Sequence, residues 1–221
     1  MINISNDTLS VLKNFSTINP NVVLKPGQKV RTISEAKNIL AIAEVAEDFP
    51  HDMGIYDLNE FLSVFNLVPD GKLEIADKRV KISNGKGCVQ YFFSEPSILT
   101  TPQKDITMPE CEVNVTLTKS ILDQVRKAAG ALGHVELAIV GSPDGIQLRI
   151  FDSKDATANT YEMAVSDEPQ EKAFEFIMNI SNLKLLDGDY NVGISSKLIS
   201  NWKNTTKPIE YFIALEKNSK Y

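Results

Sequence analysis

The chain has 221 residues, 43% of them apolar, which suits one large domain or two of about 110 residues each. No apolar run reaches the ~18–20 residues of a bilayer span, and the opening MINISNDTLSVLKNF lacks the basic start and apolar block of a secretory signal, so a soluble cytoplasmic protein with no membrane partner is expected. A net charge of −6 excludes a nucleic-acid binder that works by bulk attraction, although a basic stripe on an acidic body gives the same sum.

Residues 1–5 alternate around Ile2 and Ile4 and read as a short strand. A helix follows from Asp7 to Ile18, with Leu9, Val11, Leu12, Phe15 and Ile18 on one face, a cap at residues 5–7 and Pro20 as the stop. Strands are expected at Val22–Leu24, at Lys29–Ile33 after the Pro26–Gly27 turn, and at Ile39–Val45. A second helix runs from Asp57 to Leu67, striped by Leu58, Phe61, Leu62 and Phe65. Residues 72–93 read as antiparallel hairpins with turns at Asp70–Gly71 and Asn84–Gly85.

Residues 94–110 carry three prolines and little periodicity and read as a linker, dividing the chain into domains 1–108 and 109–221. The pattern then starts again. Val113, Val115 and Leu117 alternate, and a helix from Lys119 to about Ala131 places Ile121, Leu122, Val125, Ala128, Ala129 and Leu132 on one face. Strands follow at Val135–Val140, at Ile146–Phe151 and at Thr160–Val165. A short helix is expected over Asn179–Leu186, then strands at Tyr190–Ile194 and Ile209–Leu215. Leu9, Leu12 and Lys13 align with Leu122, Val125 and Arg126, and Val22 and Leu24 with Val135 and Leu137. Ile55, Leu58 and Phe61 align with Ile177, Ile180 and Leu183. Several matched elements in one order point to a duplicated α+β domain, its sheets carrying helices on one face.

No catalytic constellation emerges. His51 and His134 stand alone, and there is no phosphate-binding glycine loop and no nucleophile elbow, so no catalytic residue, metal ligand or cofactor is expected. Glu47–Asp48 and Asp187–Gly188–Asp189 read as solvated turns. Cys88 and Cys111 lack metal spacing and read as small apolar residues, unless the fold joins them. Basic residues are more telling. Lys119 and Arg126 share the polar face of their helix with Asp123, Lys127 flanks them, Lys13 lies on the polar face of the first helix, and Lys184 falls on the last.

LSVLKNFSTIN with VVLKPGQ after it, IYDLNEFLSVFNLV, FIMNISNLKLLDGDY and the closing YFIALE together resemble the sliding clamps of T-even-type bacteriophages, relatives of the bacterial beta clamp and the eukaryotic proliferating-cell clamp. The resemblance covers essentially the whole chain. It implies the DNA-clamp fold: two similar domains, each with antiparallel sheets and two helices, assembled as a homotrimeric ring around double-stranded DNA read without sequence preference. It implies a DNA polymerase, a clamp loader and phage transcription factors as partners, acting in the host cytoplasm. Lys13, Lys127 and Lys184 match the family's DNA-facing residues, to which the helical-face reading adds Lys119 and Arg126. The family carries a further basic residue one turn on, where this chain has Gly130. The resemblance places the subunit interfaces at Val89, Tyr91 and Phe93 and at Tyr161, Met163 and Val165, and Ile98 and Leu99 are candidates for partner docking. A structural phage ring or tube protein is the alternative that length, acidity and lack of catalytic residues also fit.

Overall fold

A computed structural model of the protein describes residues 2–221. The chain divides into two compact units, one running to Asp105 and including Lys184–Leu186 and Pro208–Glu210, the other comprising Ile106–Leu183, Asp187–Lys207 and Tyr211–Tyr221.

In the first unit, helix α1 spans Asn6–Ile18. The Ser5 hydroxyl accepts the Thr8 amide at its start, Val11, Leu12, Phe15 and Ile18 are buried, and Asn19 closes it with its amide on Phe15 O. Strands β1 (Val22–Leu24), β2 (Gly27–Ile33), β3 (Ile39–Phe49) and β4 (Met53–Ile55) follow, β1 pairing antiparallel with β4 and β2 with β3. Helix α2 spans Leu58–Leu67, its Asp57 cap accepting the amides of Asn59 and Glu60, with Leu58, Phe61 and Val64 buried. Strands β5 (Lys72–Ala76), β6 (Arg79–Ser83) and β7 (Cys88–Phe92) form a three-stranded antiparallel meander. The strand expected over residues 1–5 reduces to one bridge between Ile2 and Leu73 on β5, and residue 1 lies outside the described residues.

The second unit repeats this order. It holds β8 (Val113–Leu117), α3 (Lys119–Leu132), β9 (Glu136–Ser142), β10 (Gly145–Phe151), β11 (Tyr161–Ser166) and β12 (Phe174–Asn179). A 3-10 turn at Ile180–Asn182 then leads to β13 (Tyr190–Ser195), β14 (Ile199–Asn204) and β15 (Ile209–Ala214), the last of which belongs to this unit from Tyr211 on. Each element has a counterpart. The pairing of β9 with β12 answers that of β1 with β4, β10 with β11 answers β2 with β3, and β8 on β13 answers Ile2 on β5. A residue-level periodicity repeated twice therefore folds into the same antiparallel scaffold twice. Tyr190, Trp202 and Tyr211 make the aromatic centre of the second core, with ring centroids 6.4 and 6.1 Å from Tyr190.

Two expectations need correction. Asn179–Leu186 is not a helix, because Ile180 N still donates to Val135 O and the Asn179 side chain accepts the Ser181 amide. That asparagine bond closes a local turn in place of helical pairing. The second unit therefore carries one α-helix and one 3-10 turn instead of two helices. Glu47 is not in a solvated turn. Strand β3 continues through it, with Val45, Glu47 and Phe49 inward and Glu44, Ala46 and Asp48 outward. The buried Glu47 carboxylate accepts the Ser5 amide at 2.5 Å and the Thr8 hydroxyl, holding the start of α1 against the sheet.

Candidate DNA-facing residues and open strand edges

The five basic residues fall into three environments. Lys13 on α1 and Lys127 on α3 are exposed and make no ion pair among the described residues. Lys119 and Arg126 are held within their own unit. Lys119 Nζ lies 2.6 Å from Asp123 and 3.5 Å from Asp187, and Arg126 lies 3.6 Å from Asp123 while donating to Leu183 O at 3.1 Å. The hydrogen bond that Lys119 donates to the Asp123 carboxylate raises the Lys119 ammonium above its ordinary value and, reciprocally, holds the Asp123 carboxyl low. Lys184 is not on a helix as expected. It follows the 3-10 turn, and its Nζ donates to Thr17 O at 2.5 Å, at the carboxyl end of α1, where a cation is favoured. The Asn14 side chain answers by donating to Lys184 O.

The Lys119–Asp123 spacing of one helical turn is legible in the sequence, and it marks this face as partly self-neutralised. The contributions of Asp187, and of Asp189, whose carboxylate accepts the Lys119 amide, come from a distant turn and carry no such signal. Gly130, where the family pattern has a cation, is exposed on α3, and a Cβ at this position would meet nothing within 4 Å. Gly130→Lys is therefore expected to raise stability by about 1 kcal/mol through helix propensity, read as a higher Tm, and to add a charge to this face.

The strands chosen as interfaces are both sheet edges. Among the described residues β7 pairs only with β6, and β11 only with β10. The side chains named on them face inward or lie half-buried. Tyr91 packs edge-on against Phe61 with centroids 5.1 Å apart, Val89 shares its side, and Phe93 N donates to Lys78 O. Burial, helped by the negative charge of Glu60, pushes the Tyr91 phenol up. On β11, Tyr161 takes a hydrogen bond from Gln124 of α3, and Met163 and Val165 are half-buried. The fully outward residues are Cys88, Gln90 and Phe92 on β7 and Glu162 and Ala164 on β11, which the interface expectation passed over. Phe92 is 64% exposed. Cys88 is thus a surface thiol, while Cys111 is half-buried beside Pro109 O, and burial pushes its thiol up.

Ile98 and Leu99 part company. Ile98 is 65% exposed, whereas Leu99 is 6% exposed and turned into the unit's own core near Gly54. Leu99 is an anchor for its segment, and only Ile98 offers an apolar surface. Arg31 fastens the same stretch further on, through Lys104 O at 2.6 Å and Asp105 at 3.0 Å.

Residues 5–87 match the family described as DNA polymerase processivity factor, and residues 114–217 match gp45 sliding clamp, C terminal. The chain is 30% identical over 200 residues to the sliding clamp of Enterobacteria phage T4, spanning 88% of this chain and 87% of that one. The chain belongs to the sliding-clamp family. The sliding clamp of Vibrio phage KVP40 is 29% identical over 220 residues, covering 96% of this chain and 98% of its own. Among solved structures, A. fulgidus PCNA bound to the C-terminal region of FEN-1 superposes with a TM-score of 0.70 at 12% identity, covering 96% of both chains. Caulobacter crescentus pol III beta superposes with a TM-score of 0.70 at 13% identity over 97% of this chain and 65% of that one. These two share the fold. The clamp confers processivity on a DNA polymerase and, as in its family, catalyses nothing. Its partners are DNA and the polymerase. Among the described residues no helix is long and apolar enough to cross a membrane. A purely structural ring or tube is set aside by this membership.

Proposed function

We propose that three copies of the chain close into a homotrimeric ring in the host cytoplasm, joined head to tail through β7 of one copy and β11 of the next. Domains 1–108 and 109–221 supply six similar segments. Lys13, Lys119, Arg126, Lys127 and Lys184 face the enclosed duplex. A clamp loader opens the ring, and the polymerase and phage transcription factors dock on its surface, with Ile98 as one contact. The observation that carries this reading is the duplicated scaffold with an open strand edge on each half, since a closed ring needs two different complementary edges per subunit.

Retention then rests on enclosure. Exposed lysines facing phosphate act without reading bases, so they leave the ring free to move along the duplex. The net charge of −6 per chain keeps DNA off the remaining surface. The test is retention on DNA of two topologies. Clamp loaded by its cognate loader is expected to stay on a closed circle and to leave when the circle is cut. Equal loss from both forms would overturn the topological mechanism, and a monomer by light scattering at every concentration would overturn the ring.

A further inference from the structure

We infer that the two open edges carry opposite charge, and that this difference makes the clamp subunits join head to tail instead of pairing like edge with like edge. The inference rests on the reading that β7 and β11 form the joints. An exposed strand edge pairs with any edge presented to it, including its own copy in a second molecule. Two β7 edges brought together, or two β11 edges, would make a closed two-fold dimer and consume the surfaces a ring requires. Something must disfavour those products.

The β7 edge is flanked by cations. Arg79 on β6 lies directly opposite Phe92, and Lys81 opposite Gln90, all on the outward face. Arg79 has no ion pair among the described residues, and Lys81 has only a loose 3.9 Å contact with Glu74. The β11 edge is flanked by anions. Glu162 points outward on the edge strand itself and is without an ion pair among the described residues, because Arg149 opposite it is bound to Glu175. Asp167 and Glu168 follow at the exposed end of the strand.

Strand spacing sets the consequence. Pairing β7 with β11 places Glu162 two strands, roughly 10 Å, from the backbone of Arg79 and Lys81, within reach of their extended side chains over Phe92 and Gln90. Pairing β11 with β11 places two Glu162 carboxylates on adjacent strands about 5 Å apart, and pairing β7 with β7 brings four cations to one face. Both like pairings are repulsive, and the mixed one is attractive. The distances are close to the Debye length, about 8 Å at physiological salt, so the preference should weaken as salt rises.

The experiment measures the concentration at which the full-length chain half-assembles, by sedimentation across a salt series. The variants are Arg79→Glu with Lys81→Glu, Glu162→Lys, and all three together. Each partial reversal is expected to raise that concentration about tenfold or more. The combined chain, in which the charge at position 162 is again opposite to those at positions 79 and 81 while Asp167 and Glu168 are kept, should recover part of the loss. Unchanged thermal unfolding of the dilute chains guards against misfolding as the cause. Reversals without effect, or a combined chain no better than the partial ones, would overturn the inference. Hydrogen exchange on the wild-type chain reads the joint separately. Amides of β7 and β11 should gain protection on assembly, and their failure to do so would sink the edge reading itself, whatever the charge variants show.

Discussion

Replacing Glu47 with alanine is expected to destabilise the clamp by about 3 kcal/mol, the largest effect of any single polar substitution argued for this chain. The carboxylate takes the Ser5 amide and the Thr8 hydroxyl, and Thr8 is itself buried. Two bonds to a charged acceptor are worth roughly 1.5–3 kcal/mol each, and removing the acceptor strands both donors. The carboxylate's own burial cost vanishes with it, which brings the total nearer to one strong bond than to the sum. For a chain of this size the Tm should fall by about 6–12 °C. The pH dependence has a definite sign. Burial works to raise the Glu47 carboxyl, but the hydrogen bonds from Thr8 and Ser5 outweigh it and hold the group below the ordinary carboxylate range. A depressed carboxylate contributes stability that is present above its unfolded value and lost as pH falls through its folded one. The wild-type chain should therefore lose stability across that acidic window, and Glu47→Ala should flatten this part of the profile. Glu47→Gln keeps one acceptor and should lie between. An unchanged Tm in Glu47→Ala would show that α1 does not depend on this bond.

How much of the fold is legible in the sequence depends on where the determinants lie. Helix α3 is legible because all its signals are local: the Thr118 cap, the stripe through Leu122, Val125 and Ala129, and Gly133 in the left-handed conformation at its end, φ 72°. Strand β14 is not. Its ISNWKN buries Ser200 and Asn201, residues that read as loop until Ser200 is seen accepting the Trp202 indole and donating to Ile213 O. Glu47 misleads for the same reason, since its partners Ser5 and Thr8 are distant in the sequence. The candidate site divides likewise. Helical spacing places Lys119, Arg126 and Lys127 together, and alternation places Tyr161, Met163 and Val165 on one side of a strand. Alternation alone does not say which side is covered, and it is the packing of Tyr91 on Phe61 that turns the named β7 residues inward and leaves Phe92 out. Leu99 is the sharpest case, because its neighbour Ile98 has the same chemistry and the opposite exposure.

Charge reversal on α3 should separate residues that sequence treats alike. Lys127→Glu is expected to reduce loading and polymerase stimulation about tenfold or more while leaving the oligomer intact, with Lys13→Glu acting similarly from α1. Arg126→Glu should do less to DNA contact. Its guanidinium already donates to Leu183 O and lies beside Asp123, so it must break those contacts before it can meet a phosphate, whereas Lys127 has no ion pair to break among the described residues. Arg126→Glu should instead cost stability, because Leu183 O loses its donor and a second carboxylate is set against Asp123. The salt series gives the finer reading. Each lysine that meets a phosphate contributes about 0.9 to the slope of log affinity against log salt, so Lys127→Glu should flatten that slope and Arg126→Glu should leave it closer to wild type. The opposite ranking would mean that the ring's approach to DNA rearranges the Asp123 cluster, freeing Lys119 and Arg126 together. Asp123→Asn would then strengthen DNA contact as much as the lysine reversals weaken it. If Asp123 is instead a static partner, Asp123→Asn should change affinity only by the one charge it removes, and that comparison decides how much of the basic face is available to the duplex.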